Sequence, residues 1–232
     1  PAVIAAAQAA GADAIHPGYG FLSENSEFVR AVEAAGLIFV GPSARAVAAM
    51  GSKIEARRIA AAAGVPVVPG FEIDAGTDIA AQAARIGYPL LVKAGAGGGG
   101  RGMRRVGGPA DLARARASAR AEAGAAFGDA TVFVERLIAA PRHLEVQVFG
   151  DGQGGALHLY ERDCSVQRNH QKLIEEAPAP HLPDAVRARL LDHALTLTRA
   201  IRYGGGGAGG FVLGKGSGPP FFLGRDTPPP GR

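Results

Sequence analysis

The run Lys93-Ala-Gly-Ala-Gly-Gly-Gly-Gly-Arg-Gly-Met103 puts a lysine at the end of an apolar stretch and follows it with a loop almost free of side chains. Glycine lets the backbone take positive φ and brings N–H groups against an anion with no Cβ between, at an entropic cost that an ordinary turn avoids. A flexible hairpin tip is the plain alternative. The flanks favour a shaped loop: Tyr88-Pro-Leu-Leu-Val-Lys93 reads as a buried strand entering it, and Met103-Arg-Arg-Val106 as a strand leaving it. The spacing departs from a P-loop, since no Lys-Ser or Lys-Thr follows the glycines and no helix opens there. The expectation is a hairpin flap over a nucleotide.

Helix and strand patterns alternate from the first residue, which predicts an α/β fold. Pro1 to Ala10 is an alanine-rich helix closed by Gly11, Asp13 to His16 is a short strand, and Asn25 or Ser26 caps a helix to Ala35. Leu37-Ile-Phe-Val40 is a continuous apolar run of the kind buried on both faces of a parallel sheet, so this part reads as half of a doubly wound unit. Ser52-Lys-Ile-Glu55 is a capping box opening a helix that stops near Gly64, and Pro66 to Pro69 predicts an extended linker at a subdomain boundary. A small α/β piece follows, resembling a lid: a helix from Thr77 to Ile86, the glycine hairpin, an Ala/Arg helix from Pro109 to about Ala126, and the strand Thr131-Val-Phe-Val-Glu135.

His143-Leu-Glu-Val-Gln-Val-Phe149 alternates strictly, placing His143, Glu145 and Gln147 on one face and Leu144, Val146 and Val148 on the other. The first face is expected to look into a polar site. Asp151-Gly-Gln-Gly-Gly155 then turns the chain into Ala156-Leu-His-Leu-Tyr160, an antiparallel hairpin. Glu161 to Lys172 is densely polar, and it reads as a functional loop. An amphipathic helix from about Asp184 to Ile201 precedes a Gly/Pro-rich tail. Pro219, Pro220 and Pro228 to Pro230 remove ladder donors, so the tail is expected to fold poorly.

Composition narrows the class. A chain of 232 residues, 47% hydrophobic and 20% charged, can bury a core in one to two domains. The net charge of +4 comes from arginines dispersed along helices and only 6% of residues are aromatic, which argues against a nucleic-acid platform. No run of eighteen apolar residues predicts a membrane span. The single Cys164 cannot form an internal disulfide, which points to a reducing cytoplasm. The chain opens at Pro1 inside a helix pattern without an initiating methionine, and reads as an internal fragment.

Three segments together resemble the biotin carboxylase family of the ATP-grasp superfamily: His16-Pro-Gly-Tyr-Gly-Phe-Leu-Ser-Glu-Asn25, the Lys93 to Met103 loop, and Glu161 to Pro180 with its Arg-Asp-Cys-Ser, His-Gln-Lys and Glu-Glu-Ala-Pro-Ala-Pro strings. The resemblance runs from Pro1 to about Tyr203. It implies a partial doubly wound N-terminal domain over 1–50 and an ATP-grasp domain over 51–232, with a small lid over about 66–137 and an incomplete central part over 138–232. It further implies ATP-driven activation of bicarbonate as carboxyphosphate and carboxylation of biotin on a carrier domain. The implied partners are a biotin carboxyl carrier domain and a carboxyltransferase, in a homo-oligomeric full-length acyl-CoA carboxylase α subunit or similar enzyme.

By the resemblance, Lys53 and Lys93 hold nucleotide phosphates, as a point cation on a flexible stem can; alone, each is an ordinary surface lysine. Gly99, Gly100 and Met103 match the flap over the nucleotide, Met103 being core filler otherwise. Glu135, Arg136 and Ile138 match the interdomain hinge that reads the adenine through its backbone, with arginine where lysine is more usual. His143, Gln167 and His170 match ribose and phosphate contacts, although a lone histidine is more often structural. Lys172 matches the residue that holds bicarbonate, where a fixed cation orients the anion against the γ-phosphate; its plain reading is a solvated loop lysine. Tyr19 and Glu24 lie in the loop that borders the biotin and metal region. Cys164 as a nucleophile is a competing reading with no support for a lowered pKa.

After Tyr203 the pattern breaks. Gly210 and Gly224 stand where the family's two metal-binding glutamates belong, Asp226 where an asparagine belongs, Pro228 where the catalytic arginine belongs, and Arg232 where the general base belongs. Magnesium or manganese, which the family uses, needs oxygen ligands that glycine lacks. The expectation is weak nucleotide binding without turnover. The competing readings are a non-catalytic nucleotide-binding remnant and another ATP-grasp ligase of the carbamoyl phosphate synthetase kind; the Tyr19 loop and the His-Gln-Lys172 string count against the latter.

Overall fold

A computed structural model describes residues 1–18, 21–95, 102–168, 171–215 and 218–226. The first part consists of α1 (Ala2–Ala9), β1 (Ala14–Ile15), a 3-10 turn (Phe21–Glu24), α2 (Ser26–Ala34), β2 (Ile38–Phe39) and α3 (Ala44–Gly51). Asn25 is the cap of α2, its side chain accepting from Phe28 N at 2.9 Å. β1 and β2 pair in parallel, and Ile15, Val29, Val32, Phe39 and Val47 form the core beneath them. The apolar run Leu37–Val40 is not buried on both faces as expected. Ile38 is 64% exposed and Val40 45%, because this two-stranded ribbon is packed on one side only.

α4 (Lys53–Ala62) follows, with Ser52 Oγ accepting from Glu55 N, and Gly64 ends it at φ +75°. Pro66 to Pro69 is extended and stitched to the end of the chain: Phe222 N donates to Pro66 O at 2.8 Å. The lid contains β3 (Gly70–Glu72), α5 (Ile79–Ile86), β4 (Leu90–Ala94), β5 (Arg104–Val106), α6 (Pro109–Phe127) and β6 (Val132–Arg136). Its antiparallel sheet has the order β3-β6-β4-β5. Pro109 starts α6 and Gly128 closes it in the left-handed region, the usual punctuation of a helix. Leu90, Val92, Val106, Leu112 and Val134 fill the lid core. β4 and β5 are the two arms of the predicted hairpin. β3 was not foreseen, since three residues carry too little pattern.

The third part holds β7 (Arg142–Asp151), β8 (Ala156–Arg168), β9 (Gln171–Glu176), α7 (Asp184–Ala200), β10 (Gly204–Leu213) and β11 (Phe221–Asp226). Its antiparallel sheet runs β11-β10-β7-β8-β9. Leu144, Val146 and Val148 point into one core with Leu190, Leu191 and Leu197 of α7 and Ala56 and Ala60 of α4, so the strict alternation of β7 leaves the opposite face polar.

Two expectations fail in this sheet. Glu161 to Lys172 is largely strand rather than loop, since β8 continues to Arg168 and β9 begins at Gln171; Arg162, Asp163 and Lys172 find partners on β7 and Glu161 finds one on α7. The tail also folds, as far as it is described. Phe211, Val212, Leu213 and Phe222 are buried, and β10 ladders along the whole of β7, which outweighs the poor strand propensity of its glycines. Two glycines are demanded by close approach: a Cβ on Gly150 would lie 2.0 Å from Tyr203 O, and one on Gly207 2.6 Å from Tyr203 Oη.

Candidate functional site

Two charged clusters lie on either side of the short connection, residues 137–141, between β6 and β7. In the lid cluster, Lys93 Nζ on β4 meets Glu135 Oε1 on β6 at 2.7 Å, and Arg57 Nη1 on α4 meets Glu135 Oε2 at 3.0 Å. Arg57 also donates to Val68 O at 2.7 Å, and both cations lie against the Phe133 ring. Lys53, one helical turn before Arg57, joins this group. Burial and the like charge of Lys93 hold its ammonium down at about 8, with Glu135 opposing them. Two cations thus pair with one buried carboxylate and a third lies within its field, an arrangement that favours an incoming anion.

The second cluster is built on the polar face of the central sheet. Glu145, 1% exposed, takes Arg162 Nη2 at 2.8 Å and forms an ion pair with Lys172 Nζ; His143 Nε2 is 3.6 Å from its Oε1. Burial alone raises the Glu145 carboxyl, but the Lys172 bond and the charges of Lys172, Arg162 and His143 outweigh it and hold the group below the usual carboxylate value. Gln167 Nε2 lies 2.7 Å from His143 Nδ1 and donates to Cys164 O, while Arg162 also donates to Gln147 Oε1 at 3.1 Å. The face carries cations at fixed positions around a single desolvated carboxylate.

Lys53, Lys93 and Glu135 come together in the lid cluster; His143, Gln167 and Lys172 come together on the sheet. Lys172 is no solvated loop lysine, being tied to Glu145 and 3.9 Å from Glu175. Met103 is half-buried just before β5. At the hinge, Arg136 is exposed, with its amide donating to Pro69 O, and Leu137 N donates to Pro89 O, so an adenine held there meets neither of these amides. Ile138 is half-buried, its Cγ2 3.4 Å from where a Cβ on Gly214 would stand. Glu24 is exposed at the end of the 3-10 turn and, among the described residues, joins neither cluster. Tyr19, Gly99, Gly100, His170, Pro228 and Arg232 lie outside the described residues.

Sequence reasoning did not single out Arg57, Arg162 or Glu175. Arg57 carried a signal, since it stands four residues after Lys53 on the same helix face. Cys164 is fully buried and its thiol is pushed up to about 12, chiefly by burial, which leaves no thiolate for nucleophilic chemistry. A cavity of about 170 Å³ lies between the first part and β10, lined by His16, Ser23, Phe39, Gly41, Phe149 and Gly205 among others. No charged side chain lines it, in contrast to the two clusters.

Two family models match in tandem: "Biotin carboxylase, N-terminal domain" over residues 1–47 and "Carbamoyl-phosphate synthase L chain, ATP binding domain" over 52–224. The chain belongs to the biotin carboxylase family of ATP-grasp proteins. The Pseudomonas aeruginosa biotin carboxylase is 47% identical over 219 residues, covering 93% of this chain and 49% of that one. The α subunit of mitochondrial methylcrotonoyl-CoA carboxylase from Dictyostelium discoideum is 50% identical over 213 residues, covering 91% and 30%. Among solved structures, the Campylobacter jejuni biotin carboxylase complex with β,γ-ATP superposes with a TM-score of 0.93 at 47% identity, covering 98% of this chain and 51% of that one. This biotin carboxylase family chain thus spans about half the length of the biotin carboxylases it matches, and one third or less of the longer subunit.

The family's divalent cation does not fit the residues present. Gly210 and Gly224 offer no oxygen side chain, and among the described side chains the carboxylates that remain nearby, Glu145 and Glu175, are taken up by Lys172 and Arg162. Cys164 lies close to both, but its thiol is held protonated by burial. Magnesium prefers hard oxygen ligands in near-octahedral array, and the described side chains of this face do not supply them.

Proposed function

We propose that this chain is the nucleotide-binding part of a biotin carboxylase, with 1–50 as the latter half of the N-terminal domain and 51–232 as the ATP-grasp domain. The observation that carries the reading is the three-cation cluster around Glu135 placed beside the polar face of β7, β8 and β9. In it, Lys53 and Lys93 bind the phosphates of ATP, the glycine hairpin with Gly99, Gly100 and Met103 covers them, and the Glu135 to Ile138 segment holds the base. His143, Gln167 and His170 contact ribose and phosphate. Lys172, positioned by Glu145, orients bicarbonate, and the Tyr19 and Glu24 loop borders the biotin.

In the full-length protein the same face would serve ATP-dependent carboxylation of carrier-bound biotin, in partnership with a carboxyl carrier domain and a carboxyltransferase. A related 2-oxoglutarate carboxylase domain from Hydrogenobacter thermophilus, 39% identical with a TM-score of 0.91 over 98% of this chain and 50% of that one, was solved as a dimer with MgADP, ADP and bicarbonate, which supports both the ligands and a homo-oligomer. Among the described residues no helix is long and apolar enough to cross a membrane; the cytoplasmic placement rests on the lone buried Cys164. Gly210 and Gly224 favour a second reading for the chain as it stands, a nucleotide binder without turnover.

Calorimetric titration of ATP tests the binding, with Lys53→Ala and Lys93→Ala each expected to weaken it about tenfold. Bicarbonate-dependent ATP hydrolysis with free biotin tests the chemistry. Turnover by the 232-residue chain would overturn the second reading, and absence of any nucleotide affinity would overturn both.

A further inference from the structure

One row crosses the central sheet. Arg162 on β8 pairs with Glu145 on β7, Glu145 with Gly210 on β10, and Gly210 with Gly224 on β11. Directly paired residues send their side chains to the same face, and Arg162 and Glu145 define that face as the one carrying Lys172 and His143. A Cβ on Gly210 would stand 3.5 Å from His143 Nε2 and 3.4 Å from Gly224 O, which is ordinary contact. A Cβ on Gly224 would meet nothing within 4 Å. The backbone that would carry two acidic side chains into the site is therefore intact, and only the side chains are missing.

This loss changes what a metal does to nucleotide binding. A divalent cation bridging protein carboxylates and phosphate adds attraction on both sides. Here, among the described side chains, a metal riding on the nucleotide would face Lys53, Lys93, Arg57, Lys172 and Arg162, with Glu135 already ion-paired to Arg57 and Lys93 and with Glu145 and Glu175 ion-paired to Lys172 and Arg162. Chelation also removes two negative charges from the polyphosphate, weakening its attraction to the same cations.

Building on the nucleotide-site reading above, we infer that this chain binds metal-free nucleoside polyphosphate in preference to its magnesium complex, the reverse of the dependence that carboxylates at positions 210 and 224 would impose.

The test is a titration of a fluorescent ADP analogue into the full chain at pH 7, once in EDTA and once in excess magnesium chloride, at matched ionic strength because surface charge is screened by salt. Binding about fivefold tighter in EDTA is expected. Equal or tighter binding with magnesium overturns the inference while leaving the nucleotide site standing; no binding in either buffer removes the site and the inference together. The double variant Gly210→Glu with Gly224→Glu, and Gly224→Glu alone as the milder change, are checked for folding by circular dichroism. The double variant is expected to reverse the magnesium effect and to bind Mn2+ with ADP in an electron paramagnetic resonance titration where the parent does not. A folded double variant that shows neither change counts against the inference.

Discussion

Lys93 and Glu135 meet diagonally across two strands, Nζ to Oε1 at 2.7 Å, because Lys93 pairs in register with Phe133 and Glu135 with Leu91. Diagonal neighbours on one sheet face lie within reach of long side chains. The carboxylate also holds Arg57 from α4, so a lid strand, a second lid strand and the helix before the linker are fastened at one point.

Removing that carboxylate leaves Lys93 and Arg57 without their shared counter-ion in a partly buried place. Glu135→Gln is expected to cost about 3 kcal/mol in urea unfolding, whereas Glu72→Gln, whose pair with Arg58 is more exposed, costs less than about 1 kcal/mol.

Lys53 gives the stability a pH dependence of known sign. Its folded value of about 8 lies below the usual lysine value near 10.4, so between those limits the unfolded chain binds more protons than the folded one. The folded state is penalised below pH 8 and regains stability as pH rises through the window. Lys53→Met should be more stable than the parent at pH 7, and the difference should shrink by pH 10.5, as urea midpoints at the two pH values will report. A constant difference would contradict the assignment.

Glu145 is shared by Arg162 and Lys172, so its two partners are unequal to it. Glu145→Met leaves Arg162 and Lys172 with the more exposed Glu175 in place of a buried carboxylate and is expected to cost about 3 kcal/mol, while Lys172→Met leaves the Arg162 bond in place and costs about 1 kcal/mol. A double-mutant cycle should return a coupling of about 1 kcal/mol or more.

The glycines of the central sheet differ in what they tolerate. Gly150→Ala would drive a Cβ into Tyr203 O and is expected to cost about 3 kcal/mol or more. Gly224→Ala has open space and should stay within about 0.5 kcal/mol. Thermal melts of the two variants separate them.

Cys164 should resist thiol reagents. With its pKa pushed from 9.0 to about 12, the thiolate fraction at pH 8 falls about a thousandfold. Ellman's reagent is expected to titrate the thiol in denaturant and to leave it unmodified in the folded chain on the same timescale.

What was legible in the sequence was local. The period-2 alternation of 143–149 placed His143, Glu145 and Gln147 on the polar face and Leu144, Val146 and Val148 in the core, because a strand's geometry is carried by adjacent residues. The helix punctuation by Ser52, Gly64 and Pro109 was legible for the same reason, while the left-handed stop at Gly128 came only with the structure. The glycine run announced a hairpin, and its two arms are β4 and β5.

The remainder depended on partners distant in sequence. Arg57 and Glu135 are 78 positions apart, so no window along the chain shows their bond. The charged stretch after Tyr160 becomes strand because Arg162 finds Glu145 across β7 and Glu161 finds Arg187 on α7. The glycine-rich tail becomes strand because β7 offers a full ladder and Phe211 and Phe222 have a core to enter. Local propensity judged both segments as irregular; the free energy of pairing and burial, which only the assembled sheet supplies, decided otherwise.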